Sequence, residues 1–195
     1  MKEFCFSVEK FTYVKSDDAF ELDFVPKIIK RRLNKLDRIT VYLLNNAYEN
    51  ETQNIVFSSQ HGEYERLDKL IEQYVTLNEV SPNTFSSSVH NFAIGFFSIL
   101  KKISIPAVAT SSCLDSFSLG LLNAILTKET NTVYCFANDD FGIGFRINKT
   151  KKEFKITKKE NNEQFSDIDY NRFIHFYEKK EKKISFPFYE IERIS

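Results

Sequence analysis

The sequence predicts an α/β protein, a layered sheet with helices in a single domain, its strands and helices alternating through right-handed crossovers. Three observations carry that prediction. Short β-rich runs alternate with helix-length amphipathic segments along most of the 195 residues. One run, Asn54-Ile-Val-Phe-Ser-Ser59, has the continuous apolar character of a parallel strand buried on both faces. The length suits one domain, which at this size buries about 70% of the surface its unfolded chain exposes and needs no covalent staple.

Taken in order, Glu3 to Val14 places β-formers at Phe4, Phe6, Val8, Phe11 and Tyr13, and reads as an opening strand or hairpin. Pro26 then introduces a helix from about Lys27 to Tyr48, with Ile29, Leu33, Leu36, Ile39, Val41, Leu43 and Leu44 on its apolar face. After the Asn54–Ser59 strand, closed by His61-Gly62, a second amphipathic helix covers Glu63 to Thr76. Ser81-Pro82 opens a loop leading to Val89–Lys102, which is apolar nearly all round and so reads as a buried helix. Ile105 to Ser111 is expected as a strand, Asp115 to Thr127 as a helix, and Thr132 to Ala137 as another strand. Phe141–Ile147 and Glu153–Thr157 read as two further strands joined by the charged turn 148–152. These elements make a domain over 1–157. Residues 158–195 are expected to form a polar linker and a tail packed on that domain, with a short helix at Tyr170–Lys179 and an edge-covering strand in the aromatic run Ile184–Ile191.

Composition narrows the function. The 27 basic and 27 acidic residues cancel, so no overall field favours nucleic acid, and no nucleic-acid partner is expected. Cys5, Cys113 and Cys135 are odd in number and widely spaced, which fits free thiols in a reducing cytoplasm. The three histidines are too scattered for a metal cluster, and no metal is expected. No apolar run approaches the ~20 residues of a membrane span, and Glu3 argues against a secretory leader. A cytoplasmic protein is expected.

Cys113 sits where a strand breaks sharply into a helix, among Ser111, Ser112 and Ser116. Such a turn presents its residue to the unpaired N–H groups of a helix start, which favour a thiolate or oxyanion. Two readings follow: an acyl-transfer nucleophile, or a structural thiol buried among Phe and Leu. His90 would serve the first as a base if its ring lay within about 3.2 Å, and otherwise makes a cap or interface hydrogen bond. His61-Gly62-Glu63 reads as a strand-to-helix turn, Asp139-Asp140 as a solvated turn, and Gly142-Ile-Gly144 lacks the third glycine of a dinucleotide loop. Lys27, Lys30, Arg31, Arg32, Lys35 and Arg38 crowd into about three helical turns, either as a solvated face or as a face attractive to an acidic carrier protein or a phosphate. The Lys179, Lys180, Lys182 and Lys183 cluster reads as solvated. Phe92, Phe96, Phe97 and Leu100, with their apolar neighbours, suggest a dimer interface.

Seven short segments also occur in a telling order: Lys30-Arg-Arg-Leu-Asn-Lys-Leu36, Val56-Phe-Ser-Ser-Gln-His-Gly-Glu63, Ser81-Pro82, Ser88-Val-His-Asn91, Pro106, Asp115-Ser-Phe117 and Gly120-Leu-Leu122. Over residues 1–147 they resemble the N-terminal half of the β-ketoacyl synthases of the thiolase-like superfamily. The likeness is nearest to the half-length, chain-length-factor-like members of aryl polyene type clusters. It implies a thiolase-like half-sheet that dimerises through about Ser88 to Ser112, either with itself or with a full-length ketosynthase. The implied role is a non-condensing partner that shapes the acyl tunnel in fatty-acid- or polyketide-type synthesis. A full ketosynthase has a second half supplying two histidines, so this chain is not expected to be a complete ketosynthase alone. No cofactor is implied beyond contact of Lys30, Arg31, Arg32 and Lys35 with the phosphopantetheine arm of an acyl carrier protein. Cys113 falls between the positions that Pro106 and Gly120 would assign to the nucleophile, and the half-length relatives carry Gly there. The alternative is a small acyltransferase or thioesterase using Cys113 on acyl-carrier thioesters.

Overall fold

Five consecutive residues, Asn54 to Ser58, are buried on both sides, and this stretch forms the inner strand around which the molecule is layered. The computed structural model describes residues 4–159 and 169–194. The strands are β1 (Phe4–Lys15), β2 (Asn54–Ser58), β3 (Ala107–Thr110), β4 (Asn131–Ala137), β5 (Phe141–Asn148), β6 (Phe154–Lys158), β7 (Lys183–Ser185) and β8 (Tyr189–Arg193). The helices are α1 (Lys27–Lys30), α2 (Lys35–Ala47), α3 (Tyr64–Leu77), α4 (Pro82–Ser87), α5 (Phe92–Lys101), α6 (Ser116–Leu126) and α7 (Asp169–Glu178).

All eight strands join one sheet in the order β3-β2-β4-β5-β1-β6-β8-β7, so the expected layered α/β architecture is present. Strand β2 runs parallel to both β3 and β4, while every other neighbouring pair is antiparallel. Helices α2 and α5 cover one face, burying Leu36, Ile39, Leu43, Ile94 and Phe97 against Ile55, Phe57 and Val133. Helices α6 and α7 cover the other, where Phe117, Leu121, Phe173 and Phe176 meet Val56, Tyr134 and Phe145. Each such aromatic or leucine side chain contributes about 1.5–3 kcal/mol by leaving water. The C-terminal tail enters the same sheet, with β8 pairing to β6 through Ile191 and Ile156. Residues 160–168, most of the expected linker, lie outside the described residues.

Four expected elements differ, the first being the single tail strand expected in Ile184–Ile191, which is the antiparallel pair β7 and β8. The helix expected from Lys27 to Tyr48 is two helices. Asn34 interrupts it by capping α2, accepting a hydrogen bond from the Asp37 N–H at 2.7 Å while the Asp37 carboxylate accepts from the Asn34 N–H at 3.0 Å. That break divides the basic run, so its six cations do not share one helical face. The expected loop after Ser81 contains α4, with Pro82 in its first turn. Finally, α5 begins at Phe92 and is not buried all round: Ala93, Ile94 and Phe97 point inward, whereas Gly95 and Ile99 face out.

Arg66 ties the helices at one end of the sheet together. Its guanidinium donates to the carbonyls of Arg32 and Ser87, both at 2.9 Å, and to the Asp37 carboxylate at 2.7 Å, while lying 5.2 Å from the Phe92 ring centre. Elsewhere Arg146, nearly buried in β5, gathers the carboxylates of Glu9, Glu49 and Glu51.

Candidate functional site

Because β2 and β3 are parallel and pair Ser58 with Thr110, the chain leaves both strands at the same edge of the sheet. Six hydroxyl or thiol residues, Ser58, Ser59, Ser111, Ser112, Cys113 and Ser116, therefore collect there from distant parts of the sequence. The Ser59 N–H donates to the Thr110 carbonyl at 3.2 Å, and the Ser111 hydroxyl to the Gln60 carbonyl at 2.8 Å. Cys113 opens a single 3-10 turn, Cys113–Asp115, that runs into α6. The turn is held from inside. The Ser116 hydroxyl accepts from the Ser112 N–H and donates to the Cys113 carbonyl, both at 2.8 Å.

Cys113 itself is exposed and takes φ +49°, so the expectation of a thiol buried among Phe and Leu is corrected. The 3-10 turn held by Ser116 leaves this residue pointing outward, and the left-handed backbone there is one that glycine adopts without a Cβ penalty. Leu114 beside it is 77% exposed. No histidine serves this thiol. The His90 Nε2 lies 2.7 Å from the Ser59 hydroxyl, His175 pairs with Glu181 at 2.9 Å, and His61 stands on an exposed turn.

His90 belongs to a small half-buried joint. The Ser59 hydroxyl also accepts from the Gly62 N–H at 2.9 Å, and the imidazole stands edge-on to Phe57, 5.4 Å away. Gly62 has φ +61°, and a Cβ there would come within 3.1 Å of the His90 ring. Burial pushes the His90 pKa below the ordinary imidazole value, so it stays a neutral hydrogen-bonding ring at neutral pH.

A second joint seats α6. The Tyr134 hydroxyl donates to the Phe117 carbonyl at 2.6 Å and lies 2.8 Å from the Ser58 hydroxyl. Tyr189 donates similarly to the Ser118 carbonyl at 2.7 Å. Gly120 permits this approach, because a Cβ there would lie only 2.5 Å from the Ser58 hydroxyl. The Gly120-Leu-Leu122 segment is thus a close-packing device of α6 against β2 and β4.

The third joint, at the root of α3, was missed from the sequence. Asn34 donates to Glu63 at 2.8 Å, and Arg66 stands 3.3 Å from the same carboxylate while bonding Asp37. Two buried carboxylates therefore share one guanidinium. Burial, with Asp37 adding repulsion, pushes Glu63 up to about 8, and burial raises Asp37 as well. The Asn34-x-x-Asp37 spacing was the available signal, because it marks a helix start, although not its pairing with Glu63.

The other candidate residues are dispersed. Lys30 is half-buried at the end of α1, Arg31 and Arg32 are exposed in the break, and Lys35 is exposed at the start of α2. Phe97 is fully buried against Tyr48 and presents no surface, which removes it from the expected interface, while Phe92, Phe96 and Leu100 are half-buried. Asp139 is held above the usual carboxylate range by burial and by Glu65 and Asp140. Burial raises the Cys135 thiol inside β4. Among the described residues no group of three His, Cys, Asp or Glu converges on a metal position, and no helix is long and apolar enough to cross a membrane.

What the surface does show is an open strand. The carbonyls of Pro106 and Thr110 accept from β2, at 3.0 and 3.2 Å, so by alternation Ala107 and Ala109 direct their N–H and C=O groups away from the sheet. Most of the exposed large apolar side chains among the described residues fall between Tyr64 and Leu114, Val108 of this strand among them.

Several solved structures share this fold. Solved structures similar to the chain include the ketosynthase ApeO in complex with its chain length factor ApeC from Xenorhabdus doucetiae, with TM-score 0.78 and 18% identity over 97% of this chain and 99% of that one. A β-ketoacyl synthase from Burkholderia phymatum STM815 matches with TM-score 0.56 and 12% identity over 72% of this chain and 50% of its own. The ishigamide ketosynthase/chain length factor matches with TM-score 0.51 and 13% identity over 65% of this chain and 48% of its own. At these identities the likeness shows the fold. No curated protein matches the chain. The model of the β-ketoacyl synthase N-terminal domain matches residues 7–141, more than half of the sequence, and the chain belongs to that family.

Proposed function

We propose that this protein is a chain-length-factor-like, non-condensing partner of a ketosynthase in fatty-acid- or polyketide-type synthesis, of the aryl polyene kind. The observation that carries the reading is the uncapped β3 edge, with outward backbone groups at Ala107 and Ala109 and the exposed side chain of Val108 between them. An open edge of this kind is a template for strand addition by another chain. The likeness to structures that contain a ketosynthase with its chain length factor supports a ketosynthase as that other chain. A condensing role has no support at Cys113, since His90 is committed to Ser59 and a nucleophile of this type needs a base. The same argument weighs against an acyltransferase or thioesterase built on Cys113. Arg31, Arg32 and Lys35, with Lys30 beside them, supply exposed positive charge for the acidic surface or phosphopantetheine phosphate of a carrier protein.

Co-expression with the ketosynthase encoded nearest to it, followed by size-exclusion chromatography with light scattering, tests the reading. A one-to-one complex is expected. Replacing Ala109 with Pro removes an outward N–H without touching the β2 ladder, and should weaken the complex about tenfold or more while leaving the isolated fold intact. A chain that stays free beside the ketosynthase, or an Ala109→Pro variant that binds equally well, would overturn it.

A further inference from the structure

Helix α3 is attached to the body through Leu70, its one buried residue, and through Arg66. Next to that anchored side, Tyr64, Leu67, Ile71, Tyr74 and Val75 are between 45% and 77% exposed. At 100° per residue these five fall within an arc of about 100°, the width of a core-facing stripe. A helix that shows such a stripe to water over about three turns has an unfilled interface. Its free border is acidic: Asp68, Glu72 and Glu65 follow one another round the helix from the stripe, with Lys69 beyond them.

That border selects the occupant. When an antiparallel helix pair forms about a twofold axis, each flank meets the same flank of its copy, so an antiparallel second copy would set Asp68 and Glu72 against Asp68 and Glu72, while a parallel one would need the flank of Leu70 and Arg66, which is anchored to the body. Anionic lipid would meet the same repulsion. We infer that α3 docks an amphipathic helix of another protein, with an apolar face bordered by Lys or Arg. This surface is distinct from the β3 edge and requires no ketosynthase. Apolar contact supplies affinity, and the acidic border supplies orientation and discrimination.

Peptide binding, sedimentation and vesicle flotation on the full chain test this. The probe is a synthetic amphipathic helical peptide of about 18 residues, with leucines at helical spacing and lysines along one border, compared by fluorescence anisotropy with the same peptide bordered by glutamates. The lysine peptide should bind about tenfold tighter at low salt, with the preference shrinking as salt rises. Leu67→Gln with Ile71→Gln should abolish binding; both sites are exposed, so the fold survives. Asp68→Lys with Glu72→Lys should reverse the preference toward the glutamate peptide, which a merely sticky surface would not do. The inference is overturned by equal binding of both peptides, by no binding of either, by a sedimentation dimer that Ile71→Gln dissociates, or by vesicle flotation that Ile71→Gln abolishes.

Discussion

Alanine at two helical glycines separates the packing that seats α6 from ordinary helix propensity. In a helix interior Ala is favoured over Gly by about 1 kcal/mol, so propensity alone makes both substitutions stabilising. At Gly95 on α5 an added Cβ meets nothing within 4 Å, and Gly95→Ala should gain about 0.5–1 kcal/mol. At Gly120 the Cβ would lie 2.5 Å from the Ser58 hydroxyl, 2.7 Å from the Ser58 Cβ and 2.9 Å from the Tyr134 hydroxyl. Ser58 ends a strand hydrogen-bonded on both sides, so its Cβ cannot retreat without moving β2. Overpacking of this kind costs about 1–3 kcal/mol, and parting Ser58 from Tyr134 in a buried site costs about as much again. After the propensity gain, Gly120→Ala should lose about 1–5 kcal/mol. Urea unfolding followed by far-ultraviolet circular dichroism reads both changes, as midpoint shifts of opposite sign at constant slope. Adding Ser58→Gly to Gly120→Ala should recover part of the loss, with a coupling of about 1 kcal/mol or more. A Gly120→Ala variant as stable as the parent would refute the close seating of α6.

Two further outcomes are expected. An acid raised in the folded state holds its proton more tightly there than in the unfolded chain, so the stability Glu63 contributes is full below about 4.5 and is lost as pH rises through about 8; the melting temperature should fall across that window, and Glu63→Gln should flatten the fall. The lowered carboxylates Glu9 and Glu49 act below it, where their contribution is lost on acidification, so they do not mask the effect. Cys113→Gly removes a side chain from φ +49° and should raise stability by about 1 kcal/mol with partner binding retained; loss of pathway product in that folded, partner-bound variant would restore the thiol as a nucleophile.

The strands were legible in the sequence because double-sided burial leaves a continuous apolar run, and β2 reads that way from Ile55 to Phe57. The break at Asn34 was masked because Leu33 and Leu36, on either side of it, are both buried and keep the helical period going. Periodicity also cannot say whether an apolar face is covered. It gave α3 an apolar face although Leu70 alone is buried, and it offered Phe97 as interface although the α2–α5 contact encloses it. The joints of the candidate site were less legible still, since Ser59 meets His90, and Ser58 meets Tyr134, only through the crossovers of the sheet.

The two edges of the sheet show why those covered and uncovered faces matter. At one end β7 has three residues, and Lys183 on it is ion-paired to Glu190 of β8 at 2.5 Å. Short length and charge are the usual protections of an edge against pairing with another chain. At the other end β3 reads Ala107-Val-Ala-Thr110, with no charge and no proline inside it. Val108 within it is exposed, which a solitary protein would gain nothing by leaving so. A chain that protects one edge of its sheet and leaves the other bare is open to strand addition on the bare side, and this asymmetry supports the proposed docking at β3 over docking at β7.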